Sequence, residues 1–436
     1  MLSRRELVRA GMLGGLVVAA PGLFAGCSDD ETSPPSKDSG GGGIRLVSSD
    51  VERAAADPAA IDAGVGSVLA LDAGLYGQLV GAGGNLGLSP YSAAVALGMT
   101  VNGAVGTTRD EMLEVLATPD TESLDAGLNA LTAYVESLAG PVPDSEDEIL
   151  LDSANQVFGQ RDYPWEPDFL DALARSFGAG MREVDYEGAT EDARTAINDW
   201  TAEQTHDRIP EIIPGGVLDA MTRMVLVNTL YFKASWLTPF EKDATTDDDF
   251  HLADGSTVAV PTMHGDAGYS EGDGWRAAHL YYSGSTLAMT VVLPDEGREQ
   301  DLDDLVAGGG LVALLSSGFG EVALSLPRWE FLVAASLKDT LTALGMPTAF
   351  DSTAADFSGM TKAEQLFISA VLQQVFIAVD EDGTEAAAAT AVMMEAASGQ
   401  VEPIQPLVVD RPFVFVIHDL EHGTPLFLGK VVDPRG

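Results

Sequence analysis

Cysteine is nearly absent. The 436 residues contain one, Cys27, so no disulfide can form within the chain and packing must supply the stability. Positive charge is scarce too: 23 Lys and Arg stand against 67 Asp and Glu, for a formal net charge of -44. A field of that sign repels polyanions and argues against nucleic-acid binding through phosphates. The acid excess reads as a solvated surface that keeps the chain soluble, and leaves a cationic partner open. Aromatics make up 7% and no internal repeat at solenoid periods is apparent. The apolar run Met12–Phe24 is too short for a permanent membrane span. What is present is 46% hydrophobic content, enough for one large domain or two smaller ones.

The N-terminus accounts for the cysteine. Arg4-Arg5 precedes the apolar run, and Ala25-Gly26-Cys27 follows it. A charged start, an apolar stretch and small residues before a break point form an export signal over residues 1–26, and the paired arginines resemble the twin-arginine type. Ala25-Gly26-Cys27 resembles a lipoprotein processing site, which makes Cys27 the lipidated first residue of the exported chain; an ordinary signal with an incidental cysteine is the alternative. Residues 28–43, rich in Asp, Pro, Ser and Gly, read as a flexible tether. The reading is therefore a signal (1–26), a tether (27–50) and one domain (51–436).

Within the domain, helical spacing of apolar residues marks 59–80, 91–100, 108–117, 121–139, 168–177 and 190–204. Ser89-Pro90 reads as an N-cap followed by proline in the first turn. Apolar and β-branched runs then predict strands at 224–232, 257–264, 275–282, 286–293, 321–326, 366–379, 413–417 and 426–432, with a helix near 335–344. Helices first and strands later predict an α+β fold with mostly antiparallel sheets.

Two motifs invite an enzymatic reading. Gly268-Tyr269-Ser270-Glu271-Gly272 fits G-x-S-x-G, which needs a strand before it and a helix immediately after. Asp273-Gly274 and another strand follow instead, so the context reads as a loop and Ser270 as non-catalytic. His418-Asp419-Leu420-Glu421-His422 fits H-x-x-E-H, which binds zinc only on a helix. Its flanks are strand-like, so the two imidazoles read as surface groups of a hairpin. Asp380-Glu381-Asp382-Gly383 lacks the alternation of a calcium loop. No metal and no cofactor is expected.

The segment with no ordinary structural explanation runs from Val379 to Val401. Gly383-Thr384-Glu385-Ala386-Ala387-Ala388-Ala389-Thr390 is nearly all small side chains, without proline. Alanine propensity alone predicts helix, but a weakly packing run between two strands resembles the hinge of a serpin reactive loop. Asn85-Leu86-Gly87-Leu88-Ser89-Pro90-Tyr91-Ser92, Ile197-Asn198-Asp199-Trp200, the run Leu226–Trp236, Asp410-Arg411-Pro412-Phe413-Val414-Phe415 and the run Gly423–Val432 are similar to further serpin motifs, in the family's order. The resemblance implies the serpin fold: N-terminal helices on large sheets, an exposed C-terminal loop and a large sheet one strand short. It also implies a suicide inhibitor of serine proteases, with cysteine proteases left open, rather than an enzyme. The protease cuts the loop, forms an acyl-enzyme, and is carried along as the loop inserts into the sheet. A non-inhibitory serpin-fold binding protein is the alternative; a surface hydrolase acting at Ser270 is a third.

The family's spacing from Gly383 puts the scissile bond at Ala397-Ser398, with Met394 as runner-up. A small residue there favours elastase-like or subtilisin-like targets. On insertion, Thr384, Ala386, Ala388 and Thr390 face inward, and Glu385, Ala387 and Ala389 outward. Ser89, Ser92 and Asn228 match the polar cluster under the sheet's opening, with Gln373 in the place of a frequent histidine. Trp236, Arg328 and Glu381 match the region where the loop enters, where Arg328 and Glu381 are expected to pair. The partner implied is a target protease, held covalently. The chain is expected to be a monomer outside the cytoplasm, touching a membrane only through a lipid anchor.

Overall fold

A computed structural model describes residues 43–315, 320–385 and 405–436. Cys27, residues 386–390, Met394 and the Ala397-Ser398 bond lie outside the described residues.

The helices are α1 (Ile61–Leu79), α2 (Pro90–Val101), α3 (Gly106–Val115), α4 (Thr121–Ser137), α5 (Pro167–Phe177), α6 (Thr190–Gln204), α7 (Glu299–Ala307), α8 (Leu311–Leu315) and α9 (Lys338–Leu344). Their boundaries follow local chemistry. The Ser89 hydroxyl accepts from the Ser92 amide at 3.3 Å and Pro90 opens α2. The Asp120 carboxylate caps α4 through the Ser123 amide at 2.7 Å. Helix α5 stops at Gly178, which takes the left-handed conformation that glycine allows (φ 60°).

The strands are β1 (Arg45–Val47), β2 (Leu86–Leu88), β3 (Gly140–Pro141), β4 (Glu148–Gln160), β5 (Met181–Val184), β6 (Met224–Ser235), β7 (Thr246–His251), β8 (Thr257–Gly272), β9 (Trp275–Tyr281), β10 (Leu287–Pro294), β11 (Gly320–Pro327), β12 (Trp329–Ser336), β13 (Ala370–Val379), β14 (Gly383–Thr384), β15 (Gln405–Val408), β16 (Phe413–Asp419) and β17 (Pro425–Val431). The first sheet runs β1-β5-β4-β6-β14-β13-β12, with β3 beside β4; the second runs β15-β11-β8-β9-β10-β16-β17-β2, with β7 beside β8.

Strand β6 forms the middle of the first sheet because it is apolar on both faces. Met224, Leu226 and Leu230 enter the main core, while Val225 and Val227 pack on the other face with Ile197 and Trp200 of α6. Helix α6 therefore lies across the sheet.

The sequence reading missed several elements. Strand β4 carries Asp152, Ser153, Asn155 and Gln156 in its middle, which interrupt the apolar pattern; two of its central positions are exposed. Strand β12 alternates buried and exposed residues at its start, as an edge strand should. Its last residues were read as helix because α9 begins only two positions later. Residues 45–47 fell within the expected tether, yet they pair with β5 as an edge strand of the first sheet. Arg45 explains the docking: its Nε donates at 2.6 Å to the fully buried Glu183 carboxylate, whose other oxygen accepts from Trp165 Nε1.

Candidate functional site

The site is the seam between β6 and β13. In its lower part the two strands pair directly and in parallel, from Ala370↔Val225 to Gln374↔Thr229. In its upper part β14 lies between them, antiparallel to both: Gly383↔Ser235 and Thr384↔Ala234 on one side, Val379↔Thr384 on the other. A strand placed between two parallel neighbours can run antiparallel to each, and antiparallel ladders are the more stable per residue.

The chain returns into the sheet through a tight turn. The Asp380 amide donates to the Gly383 carbonyl at 3.0 Å, and the Asp380 carboxylate accepts from the Asp382 and Gly383 amides. Desolvation pushes the Asp380 carboxyl above its ordinary range, against those two amide bonds. Trp236 Nε1 donates to the Asp380 carbonyl at 2.9 Å, and its ring stacks on Tyr282 at 4.6 Å. Glu381 is buried; it accepts from Thr245 Oγ1 at 2.7 Å and lies 3.5 Å from Arg328 Nη1, which is half exposed. Trp236, Arg328 and Glu381 thus meet around this turn.

Thr384 is 1% exposed, and its hydroxyl is 2.6 Å from that of Tyr282. Glu385 is on the α6 side of the sheet but does not reach open solvent. Arg208 Nε donates to its carboxylate at 2.5 Å and Tyr231 OH at 3.2 Å. Burial, then the Glu385 charge, pushes the Tyr231 phenol up to about 12. Glu385 itself has a positive φ of 50°.

Below the turn, Gln373 joins the polar cluster. Its Oε1 accepts from the Ser89 amide at 3.1 Å, and its Nε2 donates to the Ser89 carbonyl at 2.9 Å and to Asn228 Oδ1 at 2.5 Å. Ser92 Oγ lies at the edge of bonding distance, 3.4 Å from the Thr229 carbonyl. Ser89, Ser92, Asn228 and Gln373 are therefore one buried group bridging α2, β6 and β13.

The enzymatic motifs resolve differently from the reading given above. Ser270 sits at the end of β8 rather than in a loop, and a two-residue turn leads into β9, so no strand–helix elbow forms. His418 is buried in β16 rather than on the surface. Ser270, His279, Thr290 and His418 form one chain of hydrogen bonds of 2.8 Å, 3.0 Å and 2.9 Å, ending on the Asp419 carbonyl at 3.1 Å. A carbonyl can only accept, so His418 Nδ1 carries hydrogen, and by the same logic each hydroxyl donates to the next Nε2. Burial, reinforced by His418, lowers the His279 imidazole to about 4. It is a neutral structural group. Among the described residues no cluster of His, Cys, Asp or Glu could hold a metal.

Arg208, Tyr231, Thr245 and Tyr282 were not singled out in the sequence. Tyr231 lies inside the Leu226–Trp236 motif, but Arg208 follows α6 in a turn with no sequence signature.

Comparison with known proteins bears on this arrangement. The model of the family described as Serpin (serine protease inhibitor) matches residues 70–434. A serpin-like protein of Thermococcus kodakarensis is 37% identical over 83% of each chain. The human leukocyte elastase inhibitor is 33% identical over 80% of this chain and 93% of its own. Among solved structures, the thermophilic serpin tengpin in its native state aligns with a TM-score of 0.78 and 27% identity, covering 89% of this chain and 97% of that one. The chain belongs to the serpin family.

Proposed function

We propose that the chain inhibits serine proteases by loop cleavage and insertion. The observation that carries this is β14: Gly383 and Thr384 already pair as a strand between β6 and β13, at the place where a longer inserted strand would run. The residues that follow, Ala386 to Thr390, are small enough to enter between two ladders. The protease's serine oxygen attacks the Ala397 carbonyl carbon, the Ala397-Ser398 amide bond breaks, and the Ser398 amine leaves with a proton. The acyl-ester remains on the loop as it inserts. Inserting about 15 residues makes roughly 15–25 new ladder bonds, releasing on the order of 10–30 kcal/mol.

The small Ala397 side chain supports an elastase-like or subtilisin-like target. The human relative is itself named for leukocyte elastase. Incubation with elastase should give a complex that survives boiling in detergent, with a released peptide beginning at Ser398. Turnover of the chain with no such complex would overturn the mechanism, and a first cut outside 393–399 would overturn the register. The placement we propose is export and lipid anchoring at Cys27, supported by Ala25-Gly26-Cys27 after an apolar run. A Cys27→Ser chain that stays with membranes as fully as the parent would rule the anchor out.

A further inference from the structure

The first two hinge residues are in the sheet and the third is turned out of it. Gly383 and Thr384 are ladder-paired, and the Glu385 amide still reaches the Ala378 carbonyl at 2.9 Å. Glu385 then takes a φ of 50°, the left-handed region that a residue with a side chain occupies only when its surroundings hold it there. Its carboxylate is nine-tenths buried and bonded to Arg208 and Tyr231. Arg208 is itself placed: its guanidinium lies 5.3 Å from the centre of the Phe376 ring on β13. It follows His206 and Asp207, which both have positive φ in the turn that ends α6. His206 bonds Asp152 of β4 at 2.9 Å and rests on the Tyr231 ring at 4.4 Å. The contact on Glu385 is thus built from α6's end, β6 and β13 together.

A strand cannot continue through a left-handed residue. To extend β14 by one residue, Glu385 must swing to the negative φ of an antiparallel strand, which carries its carboxylate off Arg208. We propose that Arg208 and Tyr231 form a catch on Glu385 that stops the uncleaved loop from zipping further into the sheet. Breaking this catch then limits the rate at which the protein converts spontaneously to a loop-inserted, inactive monomer. The proposal rests on the insertion reading above and adds a control on it.

The test needs no target protease. The full chain and its Arg208→Ala, Arg208→Lys and Tyr231→Phe variants are held below their unfolding temperature. The first-order appearance of a heat-resistant monomer, whose loop withstands a nonspecific protease, is followed. Arg208→Ala should convert about tenfold faster than the parent, which corresponds to about 1.4 kcal/mol on the barrier. Arg208→Lys should fall between the two, and Tyr231→Phe should be roughly threefold faster, as loss of one weak hydrogen bond implies. The pair Arg208→Glu with Glu385→Arg should return toward the parental rate, and added salt should narrow the gap between parent and Arg208→Ala. Conversion of Arg208→Ala at or below the parental rate overturns the catch. The insertion reading has its own control: the parent, nicked in the loop, must gain heat resistance. If it does not, insertion fails whatever Arg208 does.

Discussion

The β6–β13 seam of the first sheet and the histidine chain of the second treat their buried polar groups in opposite ways. In the second sheet, His279, Thr290 and His418 hand one hydrogen-bond chain across β9, β10 and β16, each hydroxyl and imidazole serving on both sides. In the first sheet, Asn228 Nδ2, Thr229 Oγ1 and Gln374 Oε1 are buried along the β6–β13 seam without a hydrogen-bond partner. A buried group left unpaired costs about 1–3 kcal/mol, so the seam is closed at a cost that the histidine chain of the second sheet avoids. A parallel seam carrying unpaired groups is a place where a sheet can open; an all-antiparallel stack of β9, β10, β16 and β17 is not.

The largest way to break that contrast is at the top of the seam. Thr384→Arg would put a guanidinium where a hydroxyl now meets Tyr282, in a position 1% exposed. An unpaired buried charge costs several kcal/mol, so the substitution should expel residue 384 from its place between β6 and β13. Insertion must then bury it again, and each 1.4 kcal/mol on that barrier slows it about tenfold. The variant should be cleaved at the parental bond and at a similar initial rate, yet release active protease. Retained trapping with unchanged stoichiometry would show that the loop can insert without residue 384 held in the sheet.

Acid should act on the other sheet. His279 is held near 4 in the fold against an ordinary 6.5, so the unfolded chain binds the proton first. Its stabilising contribution is complete above pH 6.5 and is lost as pH falls toward 4, about 3 kcal/mol in all; His418, also lowered by burial, adds with the same sign. Asp72 works the other way. Burial raises it to about 8, so it lowers stability as pH rises from about 4 to 8. Comparing urea midpoints of the parent and His279→Gln from pH 7 to 4 isolates the imidazole. Equal slopes for the two proteins would remove His279 from the account.

How much of this was legible in the sequence depends on where each residue's partner lies. Helix α2 announces itself through Ser89-Pro90, because capping is local, and α4 through the helical spacing of its apolar residues. Family motifs located the seam: Ser89 and Asn228 sit inside runs long enough to recognise, and Gln373 was placed by its position on the strand that leads to the hinge. The catch was not legible: Glu385 lies in the hinge motif, but Arg208 is 177 residues away and has no local signature. The polar middle of β4 concealed a thirteen-residue strand, because period-2 patterning fails where one face is only partly covered. The edge strand β1 was hidden by composition, and only the buried Glu183 explains why Arg45 belongs to the sheet.

A smaller effect is expected lower in the seam. Gln373→Ala removes three hydrogen bonds and strands the Ser89 amide and Asn228. The closed seam should lose about 1–3 kcal/mol, lowering the thermal midpoint while hastening insertion after cleavage. A variant with a lower midpoint and unaltered insertion would mean that the cluster stabilises the fold without guarding the opening. Gln373 has no proton to exchange in this range. A pH dependence of insertion that disappears in Gln373→Ala but not in His279→Gln would therefore contradict the assignment.

The smallest effect should be at Arg328. Its partner Glu381 is buried, which would ordinarily make loss of a cation severe. Here Thr245 Oγ1 already satisfies one carboxylate oxygen at 2.7 Å, while Arg328 is half exposed and 3.5 Å from the other, longer than a good charged hydrogen bond. Solvent can take over what the guanidinium gives up, and exposed pairs of this kind are worth about 0–1 kcal/mol. Arg328→Ala should therefore shift the midpoint by a degree or two at most and change the insertion rate by less than about fivefold. Thr245→Val removes the shorter bond and should cost more, because it leaves the carboxylate relying on one long, half-solvated contact. If Arg328→Ala proves the more damaging of the two, the turn at Asp380–Gly383 is held by charge rather than by the hydroxyl, and entry of the loop should then weaken steeply with salt.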